Sequence, residues 1–187
     1  MRIISGKFKG KKIIQPLNKN TRPLKDLTKE SIFNLIIHSK FFSMNFEKLD
    51  ILDLFAGSGS FGLECLSRSC KHVTFVENYK PALDILKKNI YSLNIKDNFK
   101  IVQKDIFDKK TFNNINKKFD LIFLDPPYKE NKIKEIFGII LDNKILKRKG
   151  LIVMHRNKKS IDEFSDKFIT VDSRVYGVSK ISFLFLR

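Results

Sequence analysis

Asp53-Leu54-Phe55-Ala56-Gly57-Ser58-Gly59-Ser60-Phe61-Gly62 starts at the end of the apolar run 49–54 and leads into a segment able to form a helix. A strand that ends on a glycine turn and enters a helix is where ligands bind in an open α/β sheet. Glycine allows the tight turn and a close approach of backbone to ligand, and the first N–H groups of the helix can face an anionic or polar group. The stretch also satisfies G-x-G-x-x-G, so its glycines suit a nicotinamide dinucleotide as well as S-adenosylmethionine. Asp53 separates the two. A carboxylate just before the turn suits the ammonium of a methionine moiety and sits badly beside a pyrophosphate. A plain surface turn of an α/β protein is the alternative for the glycines taken alone.

Outward from this corner the chain alternates. Apolar runs at 72–76, 99–102, 119–124 and 151–154 have strand length, and helix-length segments separate them. The clearest is 81–95, where Pro81 suits a first helical turn and Leu83, Leu86, Ile90 and Leu93 recur on one face. Such alternation predicts a parallel sheet with helices on both sides. The end differs: 168–176 and 180–187 are strand-like and meet around Gly177 with no room for a helix, so an antiparallel hairpin closes the sheet. At the other end, residues 1–14 set Gly6 and Gly10 between short apolar pairs and read as a small basic β-hairpin. Pro16 to Pro23 reads as a connecting loop, and 25–39 as a helix with Ile32, Phe33, Ile36 and Ile37 as its apolar contacts.

A length of 187 residues suits one domain with a full core. Lys and Arg total 37 against 20 Asp and Glu, a formal charge of +17, which makes nucleic acid the first partner to consider. Residues 1–40 concentrate the excess, with ten basic side chains against two acidic ones. A genome rich in A and T would inflate lysine everywhere, and 18 Phe with no Trp fits that bias; it accounts less well for the N-terminal cluster. No apolar run approaches the ~20 residues of a membrane span, and lysines rather than a signal-type stretch follow Met1-Arg2-Ile3-Ile4, so a cytoplasmic protein without membrane attachment is expected. Cys65 and Cys70 with His38, His72 and His155 offer no zinc-ligand spacing, so no metal is expected. The cysteines read as packing residues and the histidines as isolated surface or core-edge residues.

Glu77 ends the second strand-like run eighteen positions after Gly59, where a carboxylate can accept hydrogen bonds from both ribose hydroxyls of an adenosine ligand. Either cofactor would use it. Asp105, after the third run, could accept from an adenine amino group while Ile106 packs on the ring, or it could cap a helix. The second strong motif is Asp125-Pro126-Pro127-Tyr128, directly after Leu121-Ile122-Phe123-Leu124. Two prolines remove two N–H donors and leave a rigid loop that presents acceptors, which suits an NH2 group. The exocyclic nitrogen of guanine or adenine is a poor nucleophile because its lone pair is delocalised into the ring. Acceptance of its two hydrogens by the Asp125 carboxylate and the Pro126 carbonyl turns the lone pair toward an incoming methyl and stabilises the developing charge. Tyr128 offers a flat face for a base taken out of its stack. A strand-terminating turn is the alternative for the four residues alone.

The glycine motif, Glu77 and the D-P-P-Y loop together resemble the amino-methylating branch of the class I methyltransferases. Arg2-Ile3-Ile4-Ser5-Gly6-Lys7-Phe8-Lys9-Gly10-Lys11-Lys12, then Thr21-Arg22-Pro23 and Lys29-Glu30-Ser31-Ile32-Phe33-Asn34, resemble the N-terminal region of the bacterial small-subunit rRNA guanine-N2 methyltransferases of the RsmD family. The Tyr176-Gly177 turn and final strand fit as well, so the resemblance covers almost the whole chain.

This resemblance implies a Rossmann-like class I fold: a mostly parallel seven-stranded sheet with a C-terminal antiparallel hairpin, plus a small basic N-terminal hairpin and helix. It implies methyl transfer from S-adenosylmethionine to N2 of a guanine in 16S rRNA, guanine 966 in rRNA numbering, within a small-subunit assembly particle. By motif position, Asp125, Pro126 and Tyr128 would be catalytic. Asp53, Phe55, Ala56, Gly57, Ser58, Gly59, Glu77, Asn78, Asp105 and Ile106 would hold the cofactor. Arg2, Lys7, Lys9, Lys11, Lys12 and Arg22 would grip RNA. The chain would divide into a basic RNA-binding extension, 1–24, and a monomeric methyltransferase domain, 25–187. Leu24 departs from the threonine expected after Arg-Pro, and Leu27-Thr28 from an Arg-Val pair, which removes one basic contact. The same-chemistry rival is a DNA adenine-N6 methyltransferase, for which 187 residues leave no visible target-recognition domain. A nicotinamide-dependent oxidoreductase is the rival from another class, and it leaves D-P-P-Y and the basic segment unexplained.

Overall fold

In the computed structural model, which describes residues 1–15, 24–108, 110–113, 115 and 117–187, the alternation resolves into seven strands and four helices. β1 (Asp50–Leu54), β2 (His72–Val76), β3 (Phe99–Val102), β4 (Phe119–Leu124) and β5 (Leu146–Asn157) run parallel. β6 (Phe168–Tyr176) and β7 (Ser179–Leu186) form the antiparallel hairpin, with β7 paired to β5. The order is β3-β2-β1-β4-β5-β7-β6. From β1 the chain steps outward to β3 and then returns to β4 on the other side of β1, which creates a switch point at the carboxyl ends of β1 and β4. The register Leu54↔Leu124 sets the glycine turn and the D-P-P-Y loop side by side there.

Period-two alternation sends the strand residues to two apolar layers. Ile51, Leu121, Phe123 and Val153 face α1 (Asp26–His38), α2 (Ser60–Ser67) and α3 (Lys80–Ser92), while Leu52, Leu54, Ile122 and Met154 face α4 (Ile133–Asp142). Phe61 of α2 stacks on Phe123 with ring centroids 3.9 Å apart and planes 6° from parallel. A Cβ on Gly62 would lie 2.2 Å from the Phe75 ring, so α2 lies against β2 at a distance only glycine allows. We expect Gly62→Ala to cost about 1–3 kcal/mol through overpacking, read as a lowered thermal midpoint; an unchanged midpoint would show that the ring yields freely.

Two expectations need correction. Among the described residues no helix separates β3 from β4: those between the two strands form turns and bends. β5 begins at Leu146, not 151: Lys147-Arg148-Lys149-Gly150 is polar, yet the strand continues through it with a register shift between Phe119 and Leu121. Residues 1–14 form the expected small hairpin: Arg2↔Lys12 is an antiparallel bridge, and Ile3 N–H donates to Lys11 O at 2.9 Å, Gly10 N–H to Ile3 O at 2.9 Å and Ile13 N–H to Met1 O at 3.0 Å. Further hydrogen bonds go sideways to α2: Ile4 and Ser5 N–H donate to the Glu64 carboxylate at 2.7 and 3.0 Å, and Phe8 N–H to Ser67 Oγ at 2.9 Å. Gly6 sits so close to α2 that a Cβ there would overlap Ser67 O, and its φ of +81° suits glycine.

Ile3 and Ile13 are buried in the α1–α3 layer, and Lys29 of α1, fully buried, donates to Arg2 O at 2.8 Å and lies 3.6 Å from Glu64. Burial pulls the Lys29 ammonium below the ordinary lysine range, and the Glu64 charge opposes that shift. The loop expected at Pro16–Pro23 lies outside the described residues. Among the described residues no helix is long and apolar enough to cross a membrane.

Candidate active site

Phe55, Gly57 and Gly59 all adopt left-handed φ, at 60°, 57° and 80°. For Phe55 this is a strained backbone, held because Ala56 N–H donates to Val76 O and Gly57 N–H to Glu77 Oε2 at 2.7 Å. The turn is thus tied to the end of β2, the next strand over. On its other side Asn89 of α3 donates to Ser58 O at 2.9 Å and to Ile14 O at 3.1 Å, while Ile14 N–H returns a bond to Asn89. One amide therefore joins the basic segment to the glycine turn. Asp53 is 1% exposed, and Gly62 N–H donates to its Oδ2 at 3.0 Å, so this carboxylate binds the first turn of α2 as well as lying beneath the loop.

Phe55, Glu77, Asn78, Asp105 and Ile106 line one small cavity beside the turn. Glu77 spans it, with Oε1 accepting from Tyr79 N–H at 2.8 Å and Oε2 from Gly57, and each oxygen keeps a second lone pair for a hydroxyl. Asp105 Oδ1 accepts from Phe107 N–H at 2.9 Å, so the capping alternative is realised as a turn, and Oδ2 accepts from Asn78 Nδ2 at 3.0 Å. Ile106 is buried.

The D-P-P-Y loop leaves β4 beside the glycine turn, with Asp125 N–H 3.5 Å from Leu54 O. Asp125 is part-exposed, and its Oδ1 lies 2.8 Å from Nδ1 of His155, a residue only 2% exposed at the end of β5. His155 Nε2 lies 2.8 Å from Ser179 Oγ and 3.4 Å from the Tyr128 hydroxyl. The neighbouring Arg156 donates to Pro127 O at 3.1 Å and Glu130 O at 2.7 Å, and is neutralised by Asp162 at 2.9 Å. The expectation that His155 is an isolated surface or core-edge residue is therefore wrong. The parallel register Leu124↔Met154 places it next to Asp125, a neighbour relation invisible along the chain.

Residues 1–185 match the family described as Conserved hypothetical protein 95. A ribosomal RNA small subunit methyltransferase D from Buchnera aphidicola is 35% identical over 158 residues, covering 83% of this chain and 76% of its own. The chain belongs to the RsmD family of S-adenosylmethionine-dependent methyltransferases. The Bacillus subtilis protein YlbH is 33% identical over 97% of each chain. The Haemophilus influenzae protein HI0767 superposes on this RsmD-family chain with a TM-score of 0.77 at 28% identity, covering 99% of this chain and 97% of its own.

The electrostatics of the RsmD-family site match a cationic ligand. Burial pushes the Asp53 carboxyl well above the usual carboxylate range, and the charges of Asp125 and Glu77 push the same way. The charges of Glu77 and Asp125 that act on Asp53 make the field here negative, which favours a cation and opposes a pyrophosphate. Both cysteines are buried; burial pushes Cys70 up to about 12 and Cys65 higher than an ordinary thiol, so both act in packing. Arg2, Lys7, Lys9, Lys11 and Lys12 are all exposed, on the outer side of a segment whose inner side is Ile3 and Ile13. Arg22 lies outside the described residues.

Proposed function

We propose that this methyltransferase modifies the exocyclic N2 of one guanine in 16S rRNA, presented within a partly assembled small subunit, and that it acts as a cytoplasmic monomer. The observation that carries this reading is the D-P-P-Y loop set in register beside the glycine turn, with Asp125 at the mouth of an acidic crevice. S-adenosylmethionine supplies a methyl group on a sulfonium, activated for in-line displacement. Glu77 would hold the ribose hydroxyls, Ile106 would pack on the adenine and Asp105 would accept from its amino group. Phe55, Ala56, Gly57, Ser58 and Gly59 shape the turn, with Asn78 steering Asp105. Asp53 complements the ammonium while anchoring α2.

The substrate amine lies between two acceptors. His155 engages Asp125 Oδ1, so the second carboxylate oxygen takes one N–H and the Pro126 carbonyl the other. The nitrogen lone pair then points at the methyl, and Tyr128 stacks on the base. Positioning and electrostatics supply most of the rate. As the N–C bond forms and the C–S bond breaks to leave a thioether, the strongly acidic methylated nitrogen releases its surplus proton through the Asp125 carboxylate to solvent, without a strong base.

The relatives reported above include an rRNA methyltransferase by name, which favours RNA over the DNA adenine and nicotinamide alternatives. Transfer of labelled methyl to naked 16S rRNA, unmodified small-subunit particles and duplex DNA tests the substrate. Incorporation into the particle in preference to DNA is expected, and incorporation into DNA alone would overturn the RNA reading. The exposed N-terminal cations also predict strong salt dependence. If Arg2, Lys7, Lys9, Lys11 and Lys12 each engage a phosphate, the logarithm of affinity falls with the logarithm of salt at a slope of about −4. A flat response between low and physiological salt would remove their phosphate-gripping role.

A further inference from the structure

We propose that His155 is a positioning residue for methyl transfer, setting the Asp125 carboxylate and the Tyr128 ring together from the end of β5. The proposal rests on the amine-methylating reading of Asp125. Three contacts converge on one buried ring: Nδ1 at 2.8 Å from Asp125 Oδ1, and Nε2 at 2.8 Å from Ser179 Oγ and 3.4 Å from the Tyr128 hydroxyl.

The chemistry of the partners decides which nitrogen carries the proton. An ionised carboxylate only accepts, so Nδ1–H donates to Asp125. Where the ring carries that one proton, Nε2 accepts, and the nearer hydroxyl, Ser179, donates to it. Ser179 sits on β7 opposite Asn157, so strand pairing holds the Nε2 side of the ring from behind while Asp125 selects the tautomer.

This arrangement has a consequence for the amine. Asp125 projects from a loop and is 22% exposed, so its carboxylate could otherwise rotate between two equivalent presentations. One N–H bond to Oδ1 removes that freedom and leaves one oxygen to oppose the Pro126 carbonyl. The Tyr128 ring meets the same imidazole edge-on, with centroids 6.0 Å apart and planes at 78°, so the stacking face and the acceptor share one reference. Arg156 fixes the loop backbone through Pro127 and Glu130, and His155 fixes its side chains.

His155→Leu and His155→Asn separate the donor from the ring. The asparagine amide can place N–H near the Nδ1 position, and leucine cannot. For folded proteins with matched thermal midpoints, we expect His155→Leu to lower kcat about 10- to 100-fold, the range for groups that orient a reacting side chain from behind. Cofactor Kd and RNA KM should stay within about twofold, and His155→Asn should recover most of the loss. His155→Leu with kcat unchanged, or His155→Asn as slow as His155→Leu, would overturn the proposal. Nitrogen-15 NMR of the free protein gives a readout independent of any substrate. The His155 ring should show the Nδ1–H tautomer and lose that preference in Asp125→Ala; an Nε2–H tautomer in the wild type would defeat the proposal. Wild-type protein that methylates no nucleic acid would instead defeat the functional reading, while leaving the NMR result standing.

Discussion

Asp125→Ala slows methyl transfer by about 10²- to 10³-fold while cofactor affinity stays within about threefold. The magnitude is that of removing one preorganised partner of developing charge in a closed site. The selectivity follows from placement: Asp125 is on the β4 side of the switch point, whereas the cavity that suits the nucleoside is lined by residues of the β1, β2 and β3 ends. Single-turnover transfer with saturating cofactor, alongside cofactor binding by calorimetry, separates the two quantities. If rate and affinity fell together, Asp125 would be chiefly a cofactor ligand, and the amine would need another acceptor.

The largest effect on stability is expected at Glu64, far from the chemistry in sequence but central to how the basic segment is held. Its carboxylate, with no exposed surface, accepts from Ile4 and Ser5 N–H and from Arg68 Nε, and pairs with the equally buried Lys29. Glu64→Ala leaves a buried ammonium without its counter-charge and two amides without acceptors, which costs about 3–5 kcal/mol. For a chain of this size the thermal midpoint should fall on the order of 10 °C. Lys29→Met combined with Glu64→Gln removes the stranded charge and keeps one acceptor, so it should be less damaging than Glu64→Ala alone. A shift of only one or two degrees in Glu64→Ala would show that residues 1–14 are not anchored through this network.

How much of this was legible in the sequence depends on whether a residue's partners lie along the chain or across it. The strands at 72–76 and 119–124 were readable because each is a short apolar run buried on both faces, and 99–102, a partly buried edge strand, because its apolar residues recur at the next place in the alternation. The glycine turn and D-P-P-Y were readable because the chemistry of a tight turn and of an acceptor loop is local. β5 was underestimated at its start because Lys147, Arg148 and Lys149 break the apolar run, although backbone pairing tolerates them at an exposed bulge.

The basic segment was legible as a hairpin from its glycines. Gly6 also serves close approach to α2, a packing demand that spacing does not reveal. Glu77 and Asp105 line one cavity, and their bonds to Gly57, Tyr79, Phe107 and Asn78, which sequence reasoning did not foresee, show them shaping the site as well as lining it. His155 was missed because its neighbours Asp125 and Ser179 come from other strands. A signal did exist: a polar residue immediately after the buried run 151–154 stands at the carboxyl edge of the sheet, where a parallel neighbour of β4 faces the same crevice as Asp125.

The central claim is that this crevice presents a primary amine of guanine to the methyl donor. Its most direct test is the identity of the modified nucleoside after transfer to small-subunit particles and complete digestion. The account predicts N2-methylguanosine as the product; a methyl group on a ring nitrogen, on ribose, or on N6 of adenine would contradict it.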